Sequence, residues 1–434
     1  MKIAFVHQPI GIISSSAPRG SIELWIYEMA CRLARSNEVI VYAKRGHHQK
    51  KFEYDQGVQY RRISTAVDEW FTFISKAFDK IRRFPLFQKI KAIVFFRNVK
   101  RPLFASSLFY FTYILQVARD LKREKCDIVH LHNFSQFVPI IRAFNPKIKI
   151  VLHMHCEWLT QLDRTMIENR LKEVDLIIGC SEYITEKIRL VFPQFAERCQ
   201  TIYNGVDVDY FVSQNSHVSA NKNGVKRLLF VGRVSPEQGL HVMLEAFQEV
   251  VKHYPQAQLE IVGSASISPI EFIVALSDNP KISELACFYN KTGYIFHLQK
   301  QLLSYNIMDN VTFTGYIPHK HLINHYRQAD MLVNTSFSEA FGMSLIEAMA
   351  CQVPVVATRV GGMTEIVEEG KTGILVESGN APELAKAILY ILSDEDLMKR
   401  MRNAARERAG ELFSWDKIAD DLLCQYKKIC DFNG

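Results

Sequence analysis

The chain has 434 residues, 48% of them apolar, and a formal net charge of +7. That length is too great for one compact domain and suits two of ordinary size, each with enough apolar residues to fill a core. Nine cysteines, odd in number, scattered and without a C-x-x-C pair, exclude a readable disulfide framework and point to a reducing, cytoplasmic compartment.

In chain order, "MKIAFVHQP" holds an apolar stretch too short for the hydrophobic region of a signal peptide, and it reads as a first strand running into a loop. "EVIVYA", "DIVHLH", "KIVLHMH", "DLIIGC" and "QTIYN" follow, with helical segments such as "SIELWIYEMACRLA" among them. From Lys80 to Arg101 every charged residue is basic and four phenylalanines are interleaved. That composition suits an anionic membrane surface, so peripheral contact with the inner face of a membrane through residues 80–101 is a candidate interaction. No nucleic-acid partner is expected. The uncharged run Pro102 to Ala118 lies at the lower limit for a membrane span and reads better as a buried helix.

The polar stretch Ser213 to Gly224 interrupts the alternation. It then restarts with "RLLFVGR", "AQLEIVGS", "VTFTGYI", "DMLVNTS", "PVVATRV" and "TGILVES". Apolar strands separated by helices mean parallel sheets covered on both faces. The expected architecture is therefore α/β, with two tandem doubly wound Rossmann-like domains: residues 1–212, a linker at 213–225, residues 226–413, and a final amphipathic helix at 414–434 packing back toward the first domain. The segment from Ser264 to Asn310 reads as an elaborated loop with short helices, starting at a strand's carboxyl end.

Chemistry concentrates in "SFSEAFGMSLIEAMACQVPVVATRVGG", residues 336–362. Glu339 falls in the loop after a strand, and Glu347 falls about a turn and a half into the helix that begins near Gly342. The N–H groups of Phe341, Gly342, Met343 and Ser344 at that helix start suit a phosphate. The two acids then have sugar hydroxyls as their expected partners. Arg233, ending the strand of "FVGRVSPEQG", can grip phosphate oxygens in a fork geometry.

The chain resembles the retaining glycosyltransferases of family 4, with two Rossmann-like domains in the GT-B arrangement and an interdomain cleft. The resemblance rests on "EAFGMSLIE", which fits the family's E-x7-E motif, on "LLFVGRVSPEQG", "YNGVDVDYF", "VTFTGYIP" and "DIVHLHN", and on the "APRGSIELWIYEMACRLA" loop and helix. It implies transfer of a sugar from a nucleotide diphosphate donor, bound mainly by the second domain, to an acceptor bound mainly by the first. Glu347 would hold the ribose hydroxyls, Glu339 the donor sugar or its phosphate side, and Arg233 the diphosphate. Phe341, Gly342, Met343 and Ser344 would touch the donor, as would Tyr316 of "VTFTGYIP". The Gly20-Ser21 turn would cap the phosphates, and His155 would lie near the transferred sugar. No cofactor and no metal are implied. A uridine diphosphate donor and a glycan or lipid-linked acceptor are the defaults the family supplies.

Two departures stand out. Gln238 occupies the place of a family lysine, so one cation of the diphosphate clamp is missing, and Ser21 replaces a glycine, with serine expected to serve as a helix N-cap. A missing cation leaves an alternative open: a weak or inactive relative acting as a partner in a glycan assembly complex. Lys291 and Lys300 are candidate replacements. A sugar-nucleotide epimerase of the same shape is a third reading.

Several other patterns read as structural. "DVD" at Asp207 to Asp209 sits inside a family loop and is assigned no metal. In "HMHC" (His153 to Cys156), alternating residues on a strand are expected to face opposite sides and not to converge on one ion, with His153 a satisfied core histidine. His321 and His325 share a helix face without an evident third ligand.

Overall fold

The computed structural model describes residues 1–13, 20–81, 100–211, 224–289 and 293–431, with backbone only at 75–81. Nearly all of the expected linker and of the basic stretch 80–101 thus lies outside the described residues. The chain forms two compact units. The first comprises Met1–Cys180, Thr185–Ile202 and Ala419–Gly434, and the second Ser181–Ile184 and Tyr203–Ile418.

The first unit is built on eight strands: β1 (Lys2–Val6), β2 (Glu38–Lys44), β3 (Phe52–Asp55), β4 (Val58–Ile63), β5 (Ile128–His132), β6 (Lys149–Met154), β7 (Leu176–Gly179) and β8 (Cys199–Thr201). Their order is β3-β4-β2-β1-β5-β6-β7-β8, parallel except for β3. The buried central strands are the apolar runs evident in the sequence. The β3–β4 hairpin is not evident there: "FEYD" and "VQYRRI" lie at the sheet edge and carry charged residues, and only β4 alternates cleanly between buried and half-buried positions. Edge strands with one wet face lack the continuous apolar signal of central parallel strands.

The second unit has six strands: β9 (Arg227–Val231), β10 (Gln258–Val262), β11 (Val311–Gly315), β12 (Met331–Asn334), β13 (Val355–Thr358) and β14 (Gly373–Val376), in the order β11-β10-β9-β12-β13-β14. Within this unit that is 3-2-1-4-5-6, the doubly wound order of dinucleotide-binding sheets. The chain winds outward from β9 to one edge, returns to β12 and winds to the other. The carboxyl ends of β9 and β12 therefore flank the switch point where such sheets bind ligands. The elaborated segment between β10 and β11 contains short helical turns and one regular helix, Gly293–Tyr305.

The uncharged run after Pro102 does not become a single helix. Leu103–Ala105 is a 3-10 turn, and the helix proper is Phe111–Glu124, burying Tyr113, Ile114, Val117, Ala118 and Leu121. No helix among the described residues is long and apolar enough to cross a membrane. Tyr110, preceding this helix, has a left-handed backbone and provides no side-chain cap. The cap comes from another element. The buried Asp68 carboxylate accepts the N–H of Thr112 (2.9 Å), the Thr112 hydroxyl (2.6 Å) and the N–H of Tyr113 (3.0 Å). These amides belong to the first turn, which has no intrahelical acceptor. Replacing Asp68 with Ala should lower stability by about 2 kcal/mol, the scale of hydrogen bonds to a charged acceptor, read as an earlier urea midpoint for the first unit. An unchanged midpoint would show that water replaces this cap at no cost.

Candidate functional site

At the switch point two loops lock together. The Thr335 hydroxyl donates to the Gln238 carbonyl (2.9 Å), and the Phe337 N–H donates to the Glu237 carbonyl (2.8 Å). Gly239, at φ +71°, lets this happen: a Cβ there would lie 2.0 Å from the Thr335 carbonyl oxygen. The β12 end is itself fixed by buried polar groups. Asn334 Oδ1 accepts from the N–H and hydroxyl of Ser336, and the Thr358 hydroxyl donates to the Ser336 carbonyl (2.6 Å). Buried polar atoms of this kind must be paired, and here pairing sets the loop's shape.

Glu339 leaves that loop with its carboxylate turned onto local donors. It accepts from the Phe341 and Ala340 N–H groups and from the Gln238 side-chain amide, and Arg233 lies close enough to act on its charge. Burial is the largest influence and raises its pKa above the ordinary carboxylate value, with those donors and Arg233 opposing it. The Phe341 N–H is therefore engaged by Glu339, and the Phe341 side chain packs in the core against Tyr203 and Phe413. Gly342 caps the helix Met343–Ala350, so the amides left to face a phosphate are those from Gly342 to Ser344.

The Gly-Gly at the end of the motif belongs to the same construction. A Cβ on Gly361, at φ +54°, would meet the Glu339 carbonyl oxygen at 1.7 Å, and one on Gly362 would meet the Ala340 carbonyl oxygen at 2.5 Å. Only glycine lets this turn seat the acid-bearing loop so closely.

Glu347, on the fifth residue of its helix, is buried. Its Oε2 accepts the Tyr326 hydroxyl at 2.6 Å, and its Oε1 lies 2.8 Å from His319 Nε2. Burial, with the Glu347 charge beside it, holds the Tyr326 hydroxyl well above its ordinary pKa, so tyrosine is the donor. Both partners come from the helix His319–Gln328, and Phe211 of "YNGVDVDYF" packs edge-on against both rings. A carboxylate so held keeps lone pairs for further donors.

Arg233 is bound by the fully buried Glu237 (3.1 Å) and by Ser268, and remains 40% exposed at its side chain. The Tyr289 hydroxyl donates to the other oxygen of Glu237 (3.3 Å). Gln238 is buried, and Tyr316 is exposed just beyond β11. Arg233, Gln238 and Glu339 are thus brought together. Glu237, His319 and Tyr326 were missed from the sequence. Glu237 had a legible signal, an acid four residues after Arg233, whereas the partners of Glu347 come from a different βα unit. Of the candidate replacement cations, Lys300 lies over the Phe296 ring at 4.7 Å, and Lys291 is outside the described residues. Asp207 of the "DVD" triplet accepts the Tyr210 N–H and shapes its own turn, and His325 pairs with Glu260.

In the first unit, Gly20 and not Ser21 is the N-cap: Ser21 is already helical, and the Gly20 N–H donates to Glu23 three residues on (2.9 Å). His155 follows β6. Its N–H donates to Asn133 Oδ1 (2.6 Å), its Nε2 lies 3.0 Å from His132 Nδ1, and burial lowers its pKa to about 3, so the ring is neutral near pH 7. The expectation for "HMHC" stands in one respect, since among the described residues only His153 of that stretch joins a group able to hold one ion, and is overturned in another. His153 and His155 are two apart and share one face with His130 and His132 of β5, because His132 pairs with His153 in register. His153 is fully buried yet has no hydrogen-bond partner on either ring nitrogen among the described residues, so it is not a satisfied core histidine.

Comparison with known proteins agrees with this picture. Residues 22–210 match the family model described as Glycosyltransferase Family 4, and residues 212–408 match Glycosyl transferases group 1. N-acetyl-alpha-D-glucosaminyl L-malate synthase of Bacillus anthracis is 27% identical over 335 residues, covering 74% of this chain and 80% of that protein. Sucrose-phosphate synthase from Thermosynechococcus elongatus has a similar fold, with a TM-score of 0.72 at 20% identity, across 99% of this chain and 98% of the other. The Anabaena HepE protein in complex with UDP-glucose gives a TM-score of 0.66 at 19% identity, across 99% of this chain and all of the other (100%).

Proposed function

Because the chain belongs to the group 1 and family 4 glycosyltransferases, enzymes that transfer sugars, we propose that its second unit binds a uridine diphosphate sugar at the β9/β12 switch point. The transfer is to a glycan or lipid-linked acceptor held by the first unit, with retention of configuration and no catalytic metal. The observation that carries the reading is Glu347: a buried carboxylate, oriented by Tyr326 and His319, with acceptor capacity for a vicinal diol such as a ribose. The UDP-glucose held by HepE supports the choice of base and leaving group.

In this mechanism Arg233 and the amides at the start of the helix Met343–Ala350 hold the departing diphosphate. The bond from the anomeric carbon to the diphosphate breaks while the acceptor oxygen bonds to that carbon on the same face, and its proton passes to the departing phosphate oxygen. Glu339 accepts a hydroxyl of the transferred sugar. Neutral His155 offers a hydrogen bond and no charge.

With excess chelator in the assay, the protein should release UDP from a UDP-sugar, and Glu347→Ala should bind UDP more weakly by roughly 1.5 to 3 kcal/mol while remaining folded. Unchanged affinity in calorimetry would remove the ribose assignment. Turnover abolished by chelator and restored by manganese would remove the metal-free mechanism.

Gln238 favours a second reading, a catalytically weak relative. Its amide donates to Glu339 and supplies no charge to a leaving diphosphate. Gln238→Lys would place a cation beside Glu339 and the phosphates, and should raise the turnover number about tenfold, or about 1.4 kcal/mol of transition-state stabilisation. A wild type inert with every donor and acceptor tried, and still inert as Gln238→Lys, would favour the non-catalytic reading.

We further infer peripheral binding to anionic lipid. The helix Ala66–Ile81 exposes Val67, Trp70, Phe71 and Phe73 and leads into the basic sequence 80–101. Reversing four basic residues there should release the protein from vesicles containing phosphatidylserine. Equal binding by the reversed variant would return the segment to an ordinary solvated surface.

A further inference from the structure

Beneath the carboxyl ends of the central strands in the first unit lies a cluster of histidines that the donor reading leaves unexplained. We propose that His130, His132 and His153 bind one transition-metal ion of the Zn2+ class, a structural site in the first unit. The proposal is independent of the donor reading.

The three rings are essentially inaccessible to solvent, and one ring nitrogen from each lies within 4.8 Å of the others. They come together because β5 and β6 pair in parallel, with His132 opposite His153, and because His130 lies two residues from His132 on the same face. Four of their nitrogens have no hydrogen-bond partner among the described residues: Nε2 of His130, Nε2 of His132, and both nitrogens of His153. A folded protein rarely leaves so many buried polar atoms unpaired in one place.

The other nitrogens are tied in the way metal-bound histidines usually are. His130 Nδ1 shares a hydrogen bond with the Tyr426 hydroxyl (2.6 Å), and His132 Nδ1 shares one with His155 Nε2 (3.0 Å). Both contacts allow the tautomer that leaves Nε2 of His130 and of His132 as the ligand atom. Burial lowers the pKa of all three rings, and the neutral imidazole is the form that binds. Tetrahedral imidazole sites hold their nitrogens about 3.3 Å apart. A contraction of about 1.5 Å or less per pair therefore brings the three rings to tetrahedral spacing, with a water as the fourth ligand. Three imidazoles without a carboxylate or thiolate suit Zn2+, Co2+, Ni2+ or Cu2+ and not Mg2+ or Ca2+. Bound there, the ion would tie β5 to β6 and, through His132, fix the orientation of His155.

The test uses the full chain with any affinity tag removed. After stripping with a chelator, titration with Co2+ should give the visible bands of tetrahedral cobalt, saturating at one equivalent per chain and displaced by Zn2+. Zn2+ should also raise the unfolding temperature. His153→Leu should weaken Co2+ binding at least tenfold and abolish the Zn2+-dependent rise. Without an ion, this variant only removes two unpaired nitrogens, so it should equal or exceed the stripped wild type in stability. Were it to misfold, the wild-type titration decides alone. A wild type that gives no cobalt bands and no Zn2+ shift would overturn the proposal in favour of buried waters. Bands that persist undiminished in His153→Leu would place the ion elsewhere and also overturn it.

Discussion

The second unit depends on one backbone constraint, the close lock between the loop that ends β9 and the loop that ends β12. Gly239 lies where any side chain would collide with the Thr335 carbonyl oxygen, and the Glu237 and Gln238 carbonyls are taken by Phe337 and Thr335. Two loops so tied cannot move independently. Arg233, Gln238 and Glu339 inherit a fixed spacing from them, and the Gly361-Gly362 turn holds the Glu339 side of that arrangement in place. Preorganisation of this sort lets charged groups stabilise a leaving diphosphate without reorganising as it departs.

The carboxylates flanking this lock work under different local conditions. Glu347 is held by two side chains and keeps acceptor capacity, whereas Glu339 is held by backbone amides and a glutamine, in surroundings that disfavour its charge. A buried acid without such donors would take up a proton. The donors around Glu339 oppose the effect of burial on its charge, while Tyr326 and His319 hold the Glu347 carboxylate in place.

Much of this was legible in the sequence for a physical reason. Central parallel strands are apolar on both faces, so β9, β12 and β13 announce themselves, and the acids follow from their offset to the strand and helix that bracket Gly342. The β3–β4 hairpin escaped because an edge strand mixes charge into its pattern. Tyr326 and His319 escaped because their distance from Glu347 along the chain carries no local period. The histidines of the first unit escaped for a related reason. Their shared face follows from the register of β5 against β6, and register is a property of the pairing that neither strand contains alone. Ser21 shows the opposite error: a good capping residue by type, it lies one position inside the helix, and Gly20 with Glu23 makes the cap.

The central claim is that Glu347 reads the ribose of a nucleotide diphosphate at the β9/β12 switch point. A crystal structure of the chain with UDP bound tests it most directly. The account predicts both ribose hydroxyls within about 3 Å of the Glu347 carboxylate, with Tyr326 still donating to it and the diphosphate at Arg233 and the start of the helix Met343–Ala350. A nucleotide bound with its ribose elsewhere, and Glu347 paired only with Tyr326 and His319, would contradict it.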